Sequence, residues 1–394
     1  MNHEFDFEKE YGLVLEGGGA KGAYQIGVWK ALLEIGVKIK GVAGVSVGAL
    51  NGALICMGDY AGAKELWSDI KYSTVMKVND EIMEKLRNRN FKEIDLKELT
   101  KDTIKILADG GIDISPLKQL INEWVDEDRI QNSEIEFILG AFLLPKLKEV
   151  EISARDVDKS YLKDYLLASS YLPAFRNEKL HGTRYLDGGM FNNVPVNMLI
   201  NRGYKDIIVV RIYGMGLEKP VKIPEDVTII EIAPRVNLGG MLEFESVKIK
   251  RNMKIGYYDA LRSLHSLKGK IYYLQSDHRE EFFIGKLLGV NESVKKALLE
   301  YYHMDATNVK MFNRTLISQV CPRVALALKL EKEWNYEDLY LGLMEFCAKN
   351  LKIQKYRVYS FEDLTRLIQE KYRTASNKQE EFPAFLQLVL NLLI

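Results

Sequence analysis

The sequence predicts an α/β fold with a mainly parallel central sheet, plus a mostly helical C-terminal region. Short apolar, strand-like runs alternate with helical patterns in the N-terminal part of the chain, and a glycine-rich loop, Gly17–Gly22, stands between the first strand and the first helix. Beyond Pro234 helical patterns dominate. Such alternation is typical of a sheet with helices on both faces.

The first elements form a strand–helix–strand unit. A strand is predicted over Leu13–Glu16, and apolar residues at helical spacing predict a helix over Ala23–Ile35. Gly36 is placed to end that helix. The wholly apolar run Gly41–Val45 predicts a strand buried in a parallel sheet. The connection between the two strands is expected to be a right-handed crossover.

Later segments extend the same pattern. Residues 59–128 are charged and helical, interrupt the sheet and are predicted to form a cap-like insertion; Ser115-Pro116 is expected to supply the N-cap and first residue of a helix there. The remaining predicted elements are strands at 135–142, 150–153, 207–212 and 227–232, and helices at 159–168 and 195–201. We place a domain boundary between residues 275 and 276, with a helical region of unknown role at 276–394.

Composition indicates an ordinary globular protein. The chain has 394 residues, 47% of them hydrophobic, with 55 basic and 55 acidic side chains. A zero balance gives no support to nucleic acid as a partner, because phosphate binding needs a basic face. Cys56, Cys321 and Cys347 are far apart and are expected to be reduced thiols. The acidic N-terminus does not resemble a secretory signal, so a cytoplasmic location is expected.

One uncharged segment raises a membrane-spanning alternative. Gly41–Gly58 spans 18 residues, and Gly44, Gly48 and Gly52 repeat at the spacing of a helix-packing motif. Its five glycines and two polar residues make it only weakly apolar. A buried strand that turns into a buried helix explains it better.

The glycine-rich loop has two interpretations. Gly17, Gly19 and Gly22 match the spacing of a dinucleotide-binding turn. That site needs a carboxylate at the end of the second strand, but this strand ends in Val45-Ser46-Val47. A phosphate-binding P-loop would need lysine at position 23, where the chain has alanine. The alternative is a loop whose bare amides stabilise a developing oxyanion.

Ser46 is the candidate nucleophile. It lies in Gly44-Val45-Ser46-Val47-Gly48, a G-x-S-x-G pattern between an apolar strand and an apolar helix, where a sharp turn exposes the hydroxyl. The crossover brings the two strand ends together, so the amides of Gly17, Gly18 and Gly19 are expected beside this serine. Removal of one such donor typically costs about 10²–10³ in rate.

The base is predicted to be Asp187. None of the five histidines has a strand-end or glycine-rich setting, although His181 is the least unfavourable of them. Asp187 precedes Gly188-Gly189 and a predicted helix. A simple turn-forming Asp-Gly is the competing interpretation. A dry site would raise the pKa of an aspartate toward that of a useful base.

Four ordered motifs resemble the patatin-like phospholipase family: GGGAKG, GVSVG, ASSYLP at residues 168–173, and DGG. The resemblance implies a three-layer α/β/α catalytic domain over residues 1–275 that uses a serine–aspartate dyad without histidine, metal or cofactor. It assigns Ser46 as nucleophile and Asp187 as base. The carried-over oxyanion donors and supporting motif residues are Gly17, Gly18, Gly19, Lys21, Gly22, Gly44, Gly48, Gly188 and Gly189. Lys21 is expected either to favour an anionic head group or to anchor the loop.

The implied function is hydrolysis of fatty-acyl esters in phospholipids or related lipids. Two alternatives stay open: acyl transfer by the same dyad, and a non-catalytic lipid-binding or scaffolding role. Membrane contact is expected to be peripheral, through residues 59–128 or the C-terminal helices. The sequence departs from the family at Ala174–Asn177, which is more polar than the expected proline-rich continuation, so the substrate entrance is expected to differ.

Overall fold

The computed structural model describes residues 5–87, 110–374 and 383–393. The chain divides into two compact units, one ending at Ser263 and the other beginning at Leu264. This boundary precedes the one expected after residue 275. Residues 264–275 belong to the second unit because the strand Tyr273–Gln275 pairs with Val358–Ser360 there. Residues 88–109 of the expected insertion lie outside the described residues.

A seven-stranded sheet forms the centre of the first unit. Its strands are β1 Glu10–Leu15, β2 Lys38–Val45, β3 Glu136–Leu143, β4 Lys148–Ser153, β5 Tyr185–Asp187, β6 Asp206–Val210 and β7 Thr228–Ile232. The order is β4-β3-β2-β1-β6-β7, and β5 also pairs with β3. Neighbours are parallel except that β4 and β5 run antiparallel to β3. The prediction of a mainly parallel sheet is confirmed.

Ten α-helices are described in the first unit. They are α1 Ala23–Ile35, α2 Val47–Met57, α3 Tyr60–Asp69, α4 Tyr72–Val75, α5 Asp80–Arg87, α6 Ser115–Trp124, α7 Glu127–Gln131, α8 Leu162–Ser169, α9 Val196–Ile200 and α10 Ser246–Leu264. The first helix has the predicted bounds, and Gly36 ends it in the left-handed conformation with φ 84°. Ser115 was expected as an N-cap but is the first residue of α6, and Asp113 accepts a hydrogen bond from its amide.

Helices cover both faces of the sheet. On one face α2 lies so close that a Cβ added at Gly52 would be 2.8 Å from Phe137 and 3.0 Å from Val42. On the opposite face, the side chains of Met198 and Leu199 from α9 join a buried core with alternate strand residues. The arrangement is therefore helix, sheet, helix.

The uncharged segment Gly41–Gly58 is not a membrane span. Its first part is the carboxyl half of β2, at the middle of the sheet, and α2 covers only Val47–Met57. Within the described ranges, no helix is both long and apolar enough to cross a bilayer.

The second unit is mostly helical, as predicted. Its described elements are β8 Tyr273–Gln275, α11 Glu280–Leu288, α12 Glu292–Tyr301, α13 Phe312–Thr315, a π-helical turn Leu316–Val320, α14 Cys321–Ala327, α15 Tyr336–Asn350, β9 Val358–Ser360, α16 Phe361–Thr374 and α17 Ala384–Leu393. The amphipathic patterns bury Leu299 in α12 and Leu364 in α16 within one shared core. The pairing of β8 with β9 was not predicted, because each strand has three residues and the two are far apart in the sequence.

A helical glycine tests the packing of the first unit. In α1, a Cβ at Gly27 would lie 1.8 Å from the carbonyl oxygen of Met253 in α10. We expect Gly27→Ala to lower the melting temperature by forcing these helices apart. Gly285→Ala in α11 is the matched control, since nothing lies within 4 Å of its added Cβ; alanine there should be neutral or stabilise by up to about 1 kcal/mol. Equal melting temperatures for both variants would contradict the packing.

Candidate active site

The strand register places Ser46 beside Asp187. The last residue of β2, Val45, pairs with Gly140 of β3. One residue further along β3, Ala141 pairs with Asp187 of β5. Because β4 pairs with the other edge of β3, β5 lies along the same edge of β3 as β2, just beyond the point where β2 ends. The residue that follows β2 and the last residue of β5 therefore meet at one rim of the sheet.

Ser46 lies in a sharp, strained turn. Its backbone has φ 53° and ψ −129°, in a region that non-glycine residues seldom occupy. A Cβ at Gly44 would lie 2.4 Å from the carbonyl oxygen of Gly48, and one at Gly48 would lie 2.2 Å from that of Leu15. Both glycines are therefore required for α2 to begin directly against β1. The turn leaves Ser46 partly exposed.

The ASSYLP segment holds both members of the pair. The fully buried Ser169 accepts a hydrogen bond from the Ser46 amide at 2.8 Å and donates one to the Gly140 carbonyl at 2.6 Å. Two residues later, the Tyr171 carbonyl accepts from the Asp187 amide at 2.8 Å. This segment was recognised only through the family resemblance; its contacts show that it fixes the backbone of both residues.

Asp187 is a buried carboxyl group. Only 3% of it is exposed, and burial raises its pKa to about 6, against the smaller stabilising effects of the Ser46 hydroxyl and the Gly189 amide. The Gly189 amide donates to Oδ1 at 2.8 Å. Oδ2 is buried and has no hydrogen-bond partner among the described residues. The Ser46 hydroxyl is thus near enough to influence the carboxylate, but the contact falls short of a well-formed hydrogen bond.

Two of the three expected oxyanion donors are free. The Gly17 amide donates to the carbonyl oxygen of Asn193 at 3.3 Å and is already engaged. The amides of Gly18 and Gly19 have no acceptor among the described residues. Gly19 has φ 57°, and a Cβ on it would lie 2.2 Å from the Met241 carbonyl oxygen. The amides of Gly18 and Gly19 are therefore available to a ligand, whereas the Gly17 amide, expected as a third donor, is engaged by Asn193.

The other motif glycines permit close approach. A Cβ at Gly17 would lie 3.2 Å from that of Ser46, and one at Gly22 would lie 2.5 Å from the Val47 side chain. In the DGG turn, Gly188 and Gly189 would clash in the same way with their surroundings, at 2.4 Å in each case. These glycines bring the loop, the elbow and the turn together around the serine.

Glu16 organises the glycine loop and was missed from the sequence. Its side chain is buried and accepts hydrogen bonds from the amides of residues 212, 213 and 214 at 2.7–3.0 Å. Arg211 donates to the same carboxylate at 3.0 Å, and Asn193 donates at 3.3 Å. The Asn193 side chain also donates to the Gly17 carbonyl at 3.1 Å. A single acidic residue at the end of a predicted strand offered no pattern that could have revealed this role.

Lys21 anchors a neighbouring segment. Its ammonium group donates to the carbonyl oxygen of Tyr213 at 2.5 Å. The amide of Tyr213 is itself held by Glu16. Of the two roles expected for Lys21, the contact favours anchoring of the loop.

An apolar pocket is lined in part by Ser46. It holds about 800 Å³ of empty space including its open mouth, and Gly19 and Ser46 form part of its wall. The rest is mainly apolar and comes largely from α2, α3, α4 and α6, with lining residues that include Leu50, Leu54, Trp67, Val75, Leu117, Ile121 and Phe244. The described part of the 59–128 segment thus builds a wall of this pocket.

Histidine does not contribute to the described site. His181 pairs with Asp164 at 2.8 Å, has an exposed side chain and does not line the pocket. His265, His278 and His303 do not line the pocket either, and His3 lies outside the described residues. Within the described chain, the candidate base beside Ser46 is therefore the carboxyl group of Asp187.

Comparisons with known proteins agree with this architecture. The family model for patatin-like phospholipase matches residues 13–200. Neuropathy target esterase sws of Drosophila melanogaster is 29% identical over 204 residues, which is 50% of this chain but 12% of that protein; the Drosophila persimilis protein is 30% identical over 189 residues, 47% of this chain and 11% of that one. Residues 13–200 are therefore similar to patatin-like phospholipases, and the chain spans only a small part of the length of these relatives.

Two solved structures are also similar. VipD from Legionella pneumophila has a TM-score of 0.40 at 14% identity, covering 98% of this chain and 90% of that one. The type III effector protein ExoU has a TM-score of 0.33 at 14% identity, covering 98% of this chain and 77% of that one.

The raised pKa of Asp187 predicts a stability effect. An aspartate ordinarily titrates at 3.8, whereas burial holds the folded group near 6. Between these values the folded protein keeps a proton that the unfolded chain releases, so the free energy of unfolding falls as pH rises from about 4 to about 6. The full effect is on the order of 3 kcal/mol, at about 1.4 kcal/mol per unit.

Asp187→Asn removes that buried charge. We expect it to match the wild type in urea unfolding at pH 4 and to be more stable by about 1–3 kcal/mol at pH 8. Asp69→Asn, on an exposed residue at the end of α3, is the control and should follow the wild-type pH dependence. An Asp187→Asn variant no more stable than wild type at pH 8 would show that burial of the ionised carboxylate does not destabilise the folded protein.

Proposed function

We propose that this protein is a lipid acyl hydrolase that cleaves fatty-acyl esters of phospholipids or related lipids. The observation that carries the proposal is the meeting of three features: a partly exposed serine on a strained turn, a buried carboxyl group beside it, and an apolar pocket that the serine helps to line. The match of residues 13–200 to the family model for patatin-like phospholipase supports the same chemistry.

In the proposed reaction Asp187 acts as the base. It takes the proton of the Ser46 hydroxyl while the oxygen attacks the ester carbonyl, and the amides of Gly18 and Gly19 stabilise the tetrahedral oxyanion. As the intermediate collapses, the same carboxyl group gives its proton to the departing alcohol or lysolipid. Water then attacks the acyl-enzyme by the same route, releasing the fatty acid and restoring the serine.

The pocket favours a long acyl chain over a small polar acyl group. Its walls are formed by leucine, isoleucine, valine, tryptophan and phenylalanine side chains. Burial of each methylene group contributes about 0.8 kcal/mol. A fatty-acyl chain bound there would bring its ester carbonyl within reach of Ser46, which lines the same pocket.

The proposal is tested with wild type, Ser46→Ala and Asp187→Asn on long-chain phosphatidylcholine, lysophosphatidylcholine and p-nitrophenyl butyrate. Both variants should lose at least about 10³-fold in kcat/KM, because each removes a group that acts in the same step. Ser68→Ala, whose hydroxyl bonds the Lys64 carbonyl on α3, is the matched control and should keep the wild-type rate. Wild-type turnover by Ser46→Ala would exclude this serine as the nucleophile.

The pH profile gives an independent check. Because the carboxylate form of Asp187 is the base and burial raises its pKa to about 6, kcat/KM should be constant at pH 7–8 and fall about tenfold per pH unit below 6. A profile that is flat down to pH 4.5 would contradict the assignment. Product analysis with an added lysolipid acceptor separates hydrolysis from acyl transfer, and failure of a fluorophosphonate to label Ser46 would favour the non-catalytic role.

A further inference from the structure

Exposed apolar side chains border the candidate active site on two neighbouring segments. The exposed large hydrophobic residues of these segments are Met190, Phe191, Tyr213, Met215 and Leu217, which we call the interfacial strip. Met215 is 79% exposed and Leu217 is 64% exposed. Side chains of this size seldom remain in water in such close sequence without a function.

Backbone hydrogen bonds join the two segments into one surface. The Leu217 amide donates to the Gly189 carbonyl at 2.9 Å, and the Asn193 amide donates to the Leu217 carbonyl at 2.6 Å. A Cβ at Gly216 would lie 2.5 Å from the Gly189 carbonyl oxygen, so the contact is close. The strip is therefore fixed directly to the turn that carries Asp187.

The strip also adjoins the glycine loop. A Cβ at Gly214 would lie 1.8 Å from the carbonyl oxygen of Gly17 and 2.9 Å from the Cα of Gly18. Glu16 holds the amides of the same segment. The backbone beneath the strip thus touches both the donor loop and the base, the two sides of the proposed reaction centre.

Charged side chains next to the strip are already paired. Arg211 binds Glu218 at 2.9 Å, and Lys219 binds Glu149 at 3.3 Å. Lys21 donates a hydrogen bond to the carbonyl oxygen of Tyr213, a residue of the strip. The surface therefore offers apolar insertion rather than an uncompensated charge for an anionic partner.

Residues 59–128, one of the regions expected to contact the membrane, differ from the interfacial strip. Among the described side chains of residues 59–81, 83–84 and 110–128, no large hydrophobic one is exposed. Leu66, Trp67, Leu117 and Ile121 from that region face the apolar pocket instead. In the described part of the insertion, apolar surface is thus used for the pocket.

We propose that the interfacial strip inserts into the surface of a zwitterionic lipid bilayer and holds the reaction centre against it. The inference rests on the proposed function, because a lipid ester with a long acyl chain resides in such a bilayer. Apolar and aromatic side chains at a rim are the groups that enter the boundary between head groups and acyl chains.

The test measures co-flotation of the full chain with phosphatidylcholine vesicles at 50 mM and 500 mM NaCl. Met215→Ser/Leu217→Ser should bind at least tenfold more weakly than wild type at both salt concentrations, because each lost side chain removes apolar insertion. Val247→Ser/Leu326→Ser, which changes two equally exposed apolar side chains elsewhere, should bind as wild type. Met215→Trp should bind more tightly than wild type, a gain that a folding defect cannot produce.

Turnover of the soluble ester p-nitrophenyl butyrate separates the two proposals. Wild-type turnover by Met215→Ser/Leu217→Ser together with lost vesicle binding supports the strip. If no form of the protein hydrolyses any ester but the vesicle binding follows the expected pattern, the proposed function is wrong and the membrane insertion of the strip is still supported. Any one of four results would overturn the proposed insertion of the strip into the bilayer. Two of them are wild-type vesicle binding by Met215→Ser/Leu217→Ser and no vesicle binding by the wild type. The others are binding that needs anionic lipid and is lost at 500 mM NaCl, and weaker binding by Met215→Trp.

Discussion

The site depends on one feature of strand pairing: β2 and β5 share the same side of β3. β2 leaves that side at Val45, and β5 takes it over one residue later at Asp187. Neither residue of the candidate dyad has to reach far, because the sheet itself brings their backbones together. Ser169 and the Tyr171 carbonyl then fix those backbones from a third segment.

This placement conflicts locally with stability. Ser46 has a backbone conformation that non-glycine residues rarely adopt, and Asp187 has a buried oxygen without a hydrogen-bond partner in the described chain. Sites that sacrifice local stability in this way are where functional groups are commonly found. The surrounding network, with Glu16 buried beneath the loop, provides the rigidity that such a site needs.

Periodicity and turn chemistry were enough to predict the helix α1, the buried strand β2 and the elbow between β2 and α2. Each of these depends on contacts close in the sequence or on a strong local pattern. What could not be predicted depends on partners far along the chain. Glu16 acts on residues 211–214, and Ser169 acts on Ser46. The hydrogen bond from the Gly17 amide to the Asn193 carbonyl was not predicted for the same reason.

The lengths of elements also limited the prediction. β5 has three residues and lies inside a glycine-rich turn, so Tyr185–Asp187 offered no alternation to recognise. That short strand nevertheless decides where Asp187, the proposed base, lies. The DGG motif pointed to Asp187, and the sheet register places it beside the serine.

The central claim is tested most directly by a crystal structure of the protein after reaction with a long-chain alkyl fluorophosphonate. The account predicts a covalent bond to the Ser46 hydroxyl oxygen, the alkyl chain in the apolar pocket, and the phosphonyl oxygen about 2.7–3.1 Å from the amide nitrogens of Gly18 and Gly19. A bond to another residue, or a phosphonyl oxygen turned away from both amides, would contradict it.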